Sequence, residues 1–155
     1  MRKLILATSL TAVTTLSLGV AWTATASASS SVACSKLKAN ADKAKGTISG
    51  CTDTANTGGK GTFPVAALAS GSGTITWNKT GTTKVDNGTF ATVSPSACPT
   101  GDTEYSATGD VSGGTGKAKK SIKKGWTYEA DVCLNSSTGA ITLVKGTDMH
   151  FGAAY

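Results

Sequence analysis

The sequence predicts an all-β domain, an antiparallel sandwich or barrel with two disulfides, behind a cleaved N-terminal signal peptide. Three observations support this fold class. Apolar residues come in short alternating runs, turns rich in Gly, Thr and Ser separate these runs, and all four cysteines follow the leader. No stretch combines a sustained helical apolar period with helix-forming residues, so the pattern favours a sandwich or a barrel over a helical fold.

The N-terminus has the three parts of a secretory signal. Arg2 and Lys3 give a positive start, residues 4–22 are largely apolar, and an Ala-Ser-Ala cleavage site ends at Ala28. We therefore expect a signal peptide over 1–28 and a single secreted domain over 29–155, without a transmembrane segment after cleavage. The expected location is extracellular, and the oligomeric state stays open.

The charge of the processed chain is mildly basic. It holds 13 lysines, 9 acidic residues and no arginine, which gives a net charge of +4. Proteins that bind nucleic acid favour arginine, because its planar guanidinium forms bidentate hydrogen bonds with phosphate and guanine that lysine cannot form. We expect no nucleic-acid partner.

The four cysteines predict two disulfides. Three pairings are possible, and we favour Cys34–Cys51 and Cys98–Cys133 because each joins neighbouring segments within its own half of the chain. A structural zinc site is disfavoured, since the nearest pair of cysteines is 17 positions apart. No cofactor is expected.

The N-terminal half of the domain contains one helical candidate and several strands. Residues 35–45 favour helix but carry only one large apolar residue, Leu37, so we expect a single turn or a solvated loop there. The β domain is predicted from about residue 46 onward. Its first strands are expected over 46–52, 61–68 and 73–77.

The C-terminal half shows the clearest alternation. Strands over 82–85 and 89–93 flank Asp86-Asn87-Gly88, which is a turn signal, and 105–111 is a further strand candidate. Between residues 126 and 135 every second residue is apolar, and after a polar turn the pattern resumes at Ile141. This predicts a hairpin over 126–144.

Catalytic residue types are few. Glu129 and Asp131 share the polar face of a predicted strand, where i and i+2 side chains stand about 7 Å apart, a spacing that suits paired acid–base carboxylates. A solvent-facing strand explains the same pair. Asp148 and His150 form a possible two-ligand corner, but no third ligand is near in sequence, so no metal is predicted.

The densest positive segment is predicted to be a surface loop. Its five lysines lie within eight residues: Lys117, Lys119, Lys120, Lys123 and Lys124. Such a basic patch attracts polyanions by charge density, but a soluble, lysine-rich loop between strands is the more common explanation of such a segment. The glycines before it resemble a phosphate-binding loop, but Ala118 stands where that motif needs Ser or Thr.

Several short motifs together resemble a loosely defined group of small exported β-domain proteins from actinobacteria, of uncharacterised function. The motifs are Gly50-Cys51-Thr52, the stretch 71–77, Cys98-Pro99, the stretch 113–117, and Val132-Cys133. The resemblance implies an exported β domain and supplies no catalytic residues. The stretch 113–117 is also similar to a turn in barrels of the dirigent and allene-oxide-cyclase type, which favours a barrel.

The expected function is a non-catalytic binding or cell-envelope-associated module for anionic polymers, with the basic patch as its binding site. Two alternatives stay open. One is a secreted inhibitor of an extracellular enzyme that presents Cys98-Pro99-Thr100 on a rigid loop. The other is a small hydrolase that uses Glu129 and Asp131.

Overall fold

A computed structural model of the chain describes residues 31–153. The predicted signal peptide over 1–28 lies outside these residues. Within them, no helix is long and apolar enough to cross a membrane. Two disulfides are typical of an oxidising environment outside the cytoplasm.

The described chain is mostly strand, with three short helices at the connections. The strands are β1 (Val32–Asn40), β2 (Lys45–Cys51), β3 (Lys60–Pro64), β4 (Gly73–Trp77), β5 (Gly81–Thr92), β6 (Asp102–Gly116), β7 (Trp126–Asn135), β8 (Ala140–Leu143) and β9 (Met149–Ala153). The helices are α1 (Thr54–Thr57), α2 (Ala66–Ser70) and α3 (Ala118–Ser121).

The nine strands close into an antiparallel barrel with eight positions around its wall. β1 to β7 follow one another around it in sequence order. β8 and β9 then share the eighth position end to end, because each pairs with β7 on one side and with β1 on the other. The sequence left a sandwich and a barrel as alternatives, and the structure is a barrel. The ring of strand pairs is closed, but β5 extends past β4, and its residues from Asp86 to Thr92 pair with β6 alone.

Large side chains fill the barrel interior, and they pack against glycines on neighbouring strands that leave room for them. A β-carbon at Gly46 would lie 2.5 Å from the Phe63 ring, and one at Gly61 would lie 3.0 Å from the Trp77 ring. Trp77 also packs edge-on against Phe151, and its indole N–H donates to the Thr83 hydroxyl at 2.8 Å. The buried polar pair is satisfied inside an otherwise apolar core.

The two ends of the barrel are closed differently. We call the end that carries α1 and α3 the lower end, and the end that carries α2 the upper end. At the lower end α1 and α3 lie against each other, and Ala118 of α3 is buried together with Ile122, which directly follows the helix. At the upper end α2 lies across the mouth without a fully buried residue. The lower end is therefore plugged, and the upper end is only covered.

Both preferred disulfides are confirmed. Cys34–Cys51 joins β1 to β2, and Cys98–Cys133 ties the loop before β6 to β7. The predicted hairpin over 126–144 is also confirmed as the β7–β8 pair.

The expectation for residues 35–45 was wrong. They begin within β1, which starts at Val32, so the barrel starts well before residue 46. β1 hydrogen-bonds to β2 on one side and to β8 and β9 on the other, and Leu37 is buried between them. Strand pairing on both sides outweighs the local helix preference.

Three further predictions needed correction. Asp86-Asn87-Gly88 is a bulge inside one continuous strand, β5, rather than a turn between two, and Asn87 takes a φ of +50° there. The strand predicted over 61–68 stops at Pro64, which cannot continue the ladder, and α2 follows. The lysine-rich loop contains a helical turn, α3.

Candidate functional site

The basic patch lies on a rigid support at the lower end of the barrel. The backbone N–H of Ala118 donates to the Thr80 carbonyl at 3.1 Å, and the N–H of Ile122 donates to the Ala118 carbonyl at 2.9 Å. The side chains of Ala118 and Ile122 are buried in the core. The apolar side of α3 therefore holds it against the barrel core.

The five predicted lysines surround these two anchors, and all are exposed: Lys117, Lys119, Lys120, Lys123 and Lys124. Because a helical turn places i and i+4 side chains on the same face, the buried positions 118 and 122 turn their lysine neighbours toward solvent. The structure thus brings all five predicted residues to one surface.

Tertiary structure adds two lysines that sequence proximity does not suggest. Lys79 lies in the β4–β5 turn, next to the Thr80 carbonyl that binds α3. Lys60 begins β3 and accepts the N–H of Asn78 at 2.9 Å through its carbonyl. We call the set of Lys60, Lys79 and the five patch lysines the lysine-rich end. It holds seven of the 13 lysines in the described chain.

One carboxylate, Asp53, caps α1 at this same end. It accepts hydrogen bonds from the backbone N–H of Asn56 at 3.1 Å and from the Asn56 side-chain amide. The Ser121 hydroxyl, at the end of α3, is the main cause of a lowered Asp53 pKa, and burial partly opposes it. Asp53 therefore links α1 to α3.

The aromatic residues after the patch do not join its surface. Trp126 and Tyr128 are 8% and 7% exposed, and both point into the barrel. The Lys123 ammonium lies 5.9 Å from the centre of the Trp126 ring, within the range of a cation–π contact. Trp126 thus positions one lysine and leaves little of its own ring for a ligand.

The other candidate residues meet on the outer wall. Glu129 faces His150 across the β7–β9 pair, and Glu129, Asp131, Asp148 and His150 all border one polar depression of about 410 Å³. Within residues 31–153, no group of three or more Asp, Glu, His or Cys side chains is arranged to hold a metal ion. The four residues lie on the solvent side of the barrel, where charged side chains of a strand belong.

The loop suggested for an inhibitor lies at the upper end. Pro99 and Thr100 are exposed, and the adjacent Cys98 is held by its disulfide. The buried Glu104 carboxylate accepts the N–H of Ala97 and fixes the loop from beneath. This loop and the lysine-rich end lie at opposite ends of the barrel.

Comparison of the chain with protein-family models, with curated proteins and with solved structures finds no match.

Proposed function

We propose that this protein is an exported, non-catalytic binding module whose lysine-rich end attaches it to anionic polymers of the cell envelope. The observation that carries the proposal is the collection of seven lysines at one end of a closed barrel. Asp53 shares that end, and its lowered pKa keeps it ionised, so it offsets one of the seven positive charges. The lysine-rich end therefore keeps a clear excess of positive charge.

The type of cation supports a polymer rather than a small, oriented ligand. Lysine ammonium groups are compact point charges on flexible stems, and they bind by charge density without the fixed fork of arginine. The described chain contains no arginine. A repeating polyanion satisfies many such charges at once, whatever its detailed register.

The rigid support favours binding over a merely solubilising role. A solubilising surface needs no fixed geometry, whereas α3 is held by two buried residues, Ala118 and Ile122. Because the platform is ordered before it meets the polymer, only the lysine side chains lose freedom on binding.

The experiment compares two variants with the same change in net charge. The first replaces Lys117, Lys119, Lys120, Lys123 and Lys124 with glutamine. The control replaces five exposed lysines elsewhere: Lys36, Lys38, Lys43, Lys45 and Lys84. Binding to isolated cell walls is measured by co-sedimentation, with a heparin column as a polyanion of known chemistry and single-stranded DNA as a further arm.

The first variant should lose cell-wall binding by orders of magnitude, since each lysine near an anionic surface contributes about 1 kcal/mol. The control variant should retain most of it. Raising salt to 1 M should release the wild-type protein, because the Debye length falls to about 3 Å. Equal losses in both variants would show that only net charge matters and would contradict a localised site.

A smaller test uses the two residues that tertiary structure adds. The double variant Lys60→Gln, Lys79→Gln should lower the salt concentration at which the protein leaves the heparin column. A pair of the same charge away from this end, Lys36→Gln in β1 with Lys43→Gln in the β1–β2 turn, should lower it less. Matching shifts would remove Lys60 and Lys79 from the site.

A further inference from the structure

Half-buried apolar side chains surround the upper mouth of the barrel. Phe90 and Tyr105 stack with ring centres 4.4 Å apart near the upper ends of β5 and β6. The partly buried apolar residues packed against the core are Ala39, Leu68, Phe90, Tyr105, Leu134 and Leu143. A soluble domain rarely leaves so many apolar side chains partly exposed at one place without a use for them.

An apolar cavity lies directly under this mouth. Leu37, Phe63, Ile75 and Val85 line it from the barrel wall, and Leu68 lines it from α2. Its volume is about 30 Å³, which is room for a water molecule or two. Because a benzene-sized guest needs about 150 Å³, any ligand requires α2 to move.

α2 is packed less tightly against the core than the strands are. None of its residues is fully buried, and no side chain caps its N-terminus. It is anchored at its two ends, by the buried Val65 and by Gly71, whose carbonyl accepts the N–H of Gly88 at 2.9 Å. Gly71 has a φ of +66°, a conformation that glycine adopts without strain.

We propose that the upper mouth is a binding site for a single flexible apolar chain, such as a fatty-acyl tail, which enters the barrel when α2 swings outward. The inner cavity and the half-buried rim share Leu68, so displacement of α2 joins them into one apolar channel. The mouth of a β-barrel is a common place for such a site.

A thin chain suits this site better than a folded protein partner. The site is concave and continues into the barrel between β3, β4 and β5, where a flat protein surface cannot follow. An eight-stranded barrel is wide enough to hold one small ligand among its side chains. This inference is independent of the lysine-rich end, which lies at the other end of the barrel.

The test is a fluorescence titration of the purified protein with N-phenyl-1-naphthylamine, an uncharged apolar dye, followed by displacement with dodecan-1-ol. Both compounds lack an anionic group, so the lysine-rich end does not attract them. We expect a blue-shifted, saturable signal that dodecan-1-ol removes and that persists in 1 M salt, because salt does not screen apolar burial.

Variants in α2 provide matched controls. Ala67→Phe attaches a ring that the cavity can admit only when α2 shifts, and the ring then occupies the channel that the ligand would enter. Dye binding should therefore weaken about tenfold or more. Ala69→Phe makes the same change at an exposed position of the same helix and should bind like wild type. Val85→Phe brings a ring to the same channel from the barrel wall and should act like Ala67→Phe.

Gly73→Ala tests the movement itself. Its β-carbon would lie 2.5 Å from that of Ala67, so it pushes α2 outward and should speed dye binding in stopped flow. Absence of dye binding in both wild type and Gly73→Ala would overturn the proposal. Equal affinity in Ala67→Phe, Ala69→Phe and wild type would place the dye elsewhere and would also overturn it.

Discussion

The hydroxyl of Tyr128 occupies the space that a side chain at position 88 would need. A β-carbon built on Gly88 would lie 2.5 Å from that oxygen and 2.5 Å from the Gly71 backbone. Gly109, which is the register partner of Tyr128 on β6, leaves room for the ring in the same way. The bulge in β5 therefore makes room for the buried side chain of Tyr128 beneath the end of α2.

Gly88→Ala should destabilise the fold by about 1–3 kcal/mol, because the added methyl group overpacks a site that backbone atoms close from the other side. Urea unfolding followed by circular dichroism measures the change. Gly113→Ala is the matched control, since a β-carbon there meets nothing within 4 Å, and it should shift stability by no more than about 1 kcal/mol. In a Tyr128→Phe background the cost of Gly88→Ala should fall, because the hydroxyl is gone.

The free energy of unfolding should also fall at alkaline pH, where Tyr128 ionises. Burial raises its pKa above the ordinary value of 10.0, and the Asp110 and Asp86 carboxylates raise it further. The folded state thus holds the proton more tightly than the unfolded state does. This stabilising contribution is complete below pH 10 and is lost as the pH rises through the folded pKa.

Absorbance titration of tyrosinate should show Tyr128 ionising at a higher pH than an unfolded-peptide tyrosine. Asp110→Asn should lower the Tyr128 pKa while leaving it above the ordinary value, since burial is the larger cause. If Asp110→Asn left the titration unchanged, the carboxylate would have no influence on this hydroxyl.

The two disulfides should contribute unequally to stability. The loop-entropy relation assigns about 3 kcal/mol to Cys34–Cys51, which spans 17 positions, and about 4 kcal/mol to Cys98–Cys133, which spans 35. Paired Cys→Ser variants at each bridge, compared by urea unfolding, measure both values. A larger loss at Cys34–Cys51 would show that local packing around β1 outweighs loop length.

The Asp53–Ser121 contact should make the lower end of the barrel sensitive to acid. The Asp53 pKa is lowered by hydrogen bonds, so its stabilising contribution is present above the ordinary value of 3.8 and is lost as the pH falls through the folded pKa. Asp53→Ala should cost about 1 kcal/mol at neutral pH, the usual loss when alanine replaces an aspartate at a helix N-cap.

Hydrogen exchange of the α3 amides provides the local readout for this contact. Ser121→Ala should speed exchange in α3 at neutral pH, and should add nothing in an Asp53→Ala background if the two side chains act as one unit. Additive effects would show that Asp53 and Ser121 support the end of the barrel independently.

Several features of the molecule could be predicted because their signals are local. The alternation between Trp126 and Asn135, followed by a polar turn, predicts a hairpin wherever the strands later pack. The run of lysines after Gly116 is exposed because long cations avoid burial. Each cysteine pair joins neighbouring segments, so short loops favour the observed disulfides.

The tertiary structure alone decided the rest, because the deciding contacts are distant in sequence. Residues 35–40 have helix-favouring composition and little to bury by themselves, yet β1 closes the barrel because β2, β8 and β9 supply its hydrogen bonds. The residues at 86–88 predict a backbone with positive φ, which occurs in a bulge as well as in a turn. The sequence does not distinguish the two, because the close contact between Gly88 and Tyr128 is made only in the folded barrel. Closure likewise brings Lys60 and Lys79 to the patch, since strand pairing rather than sequence distance places them there.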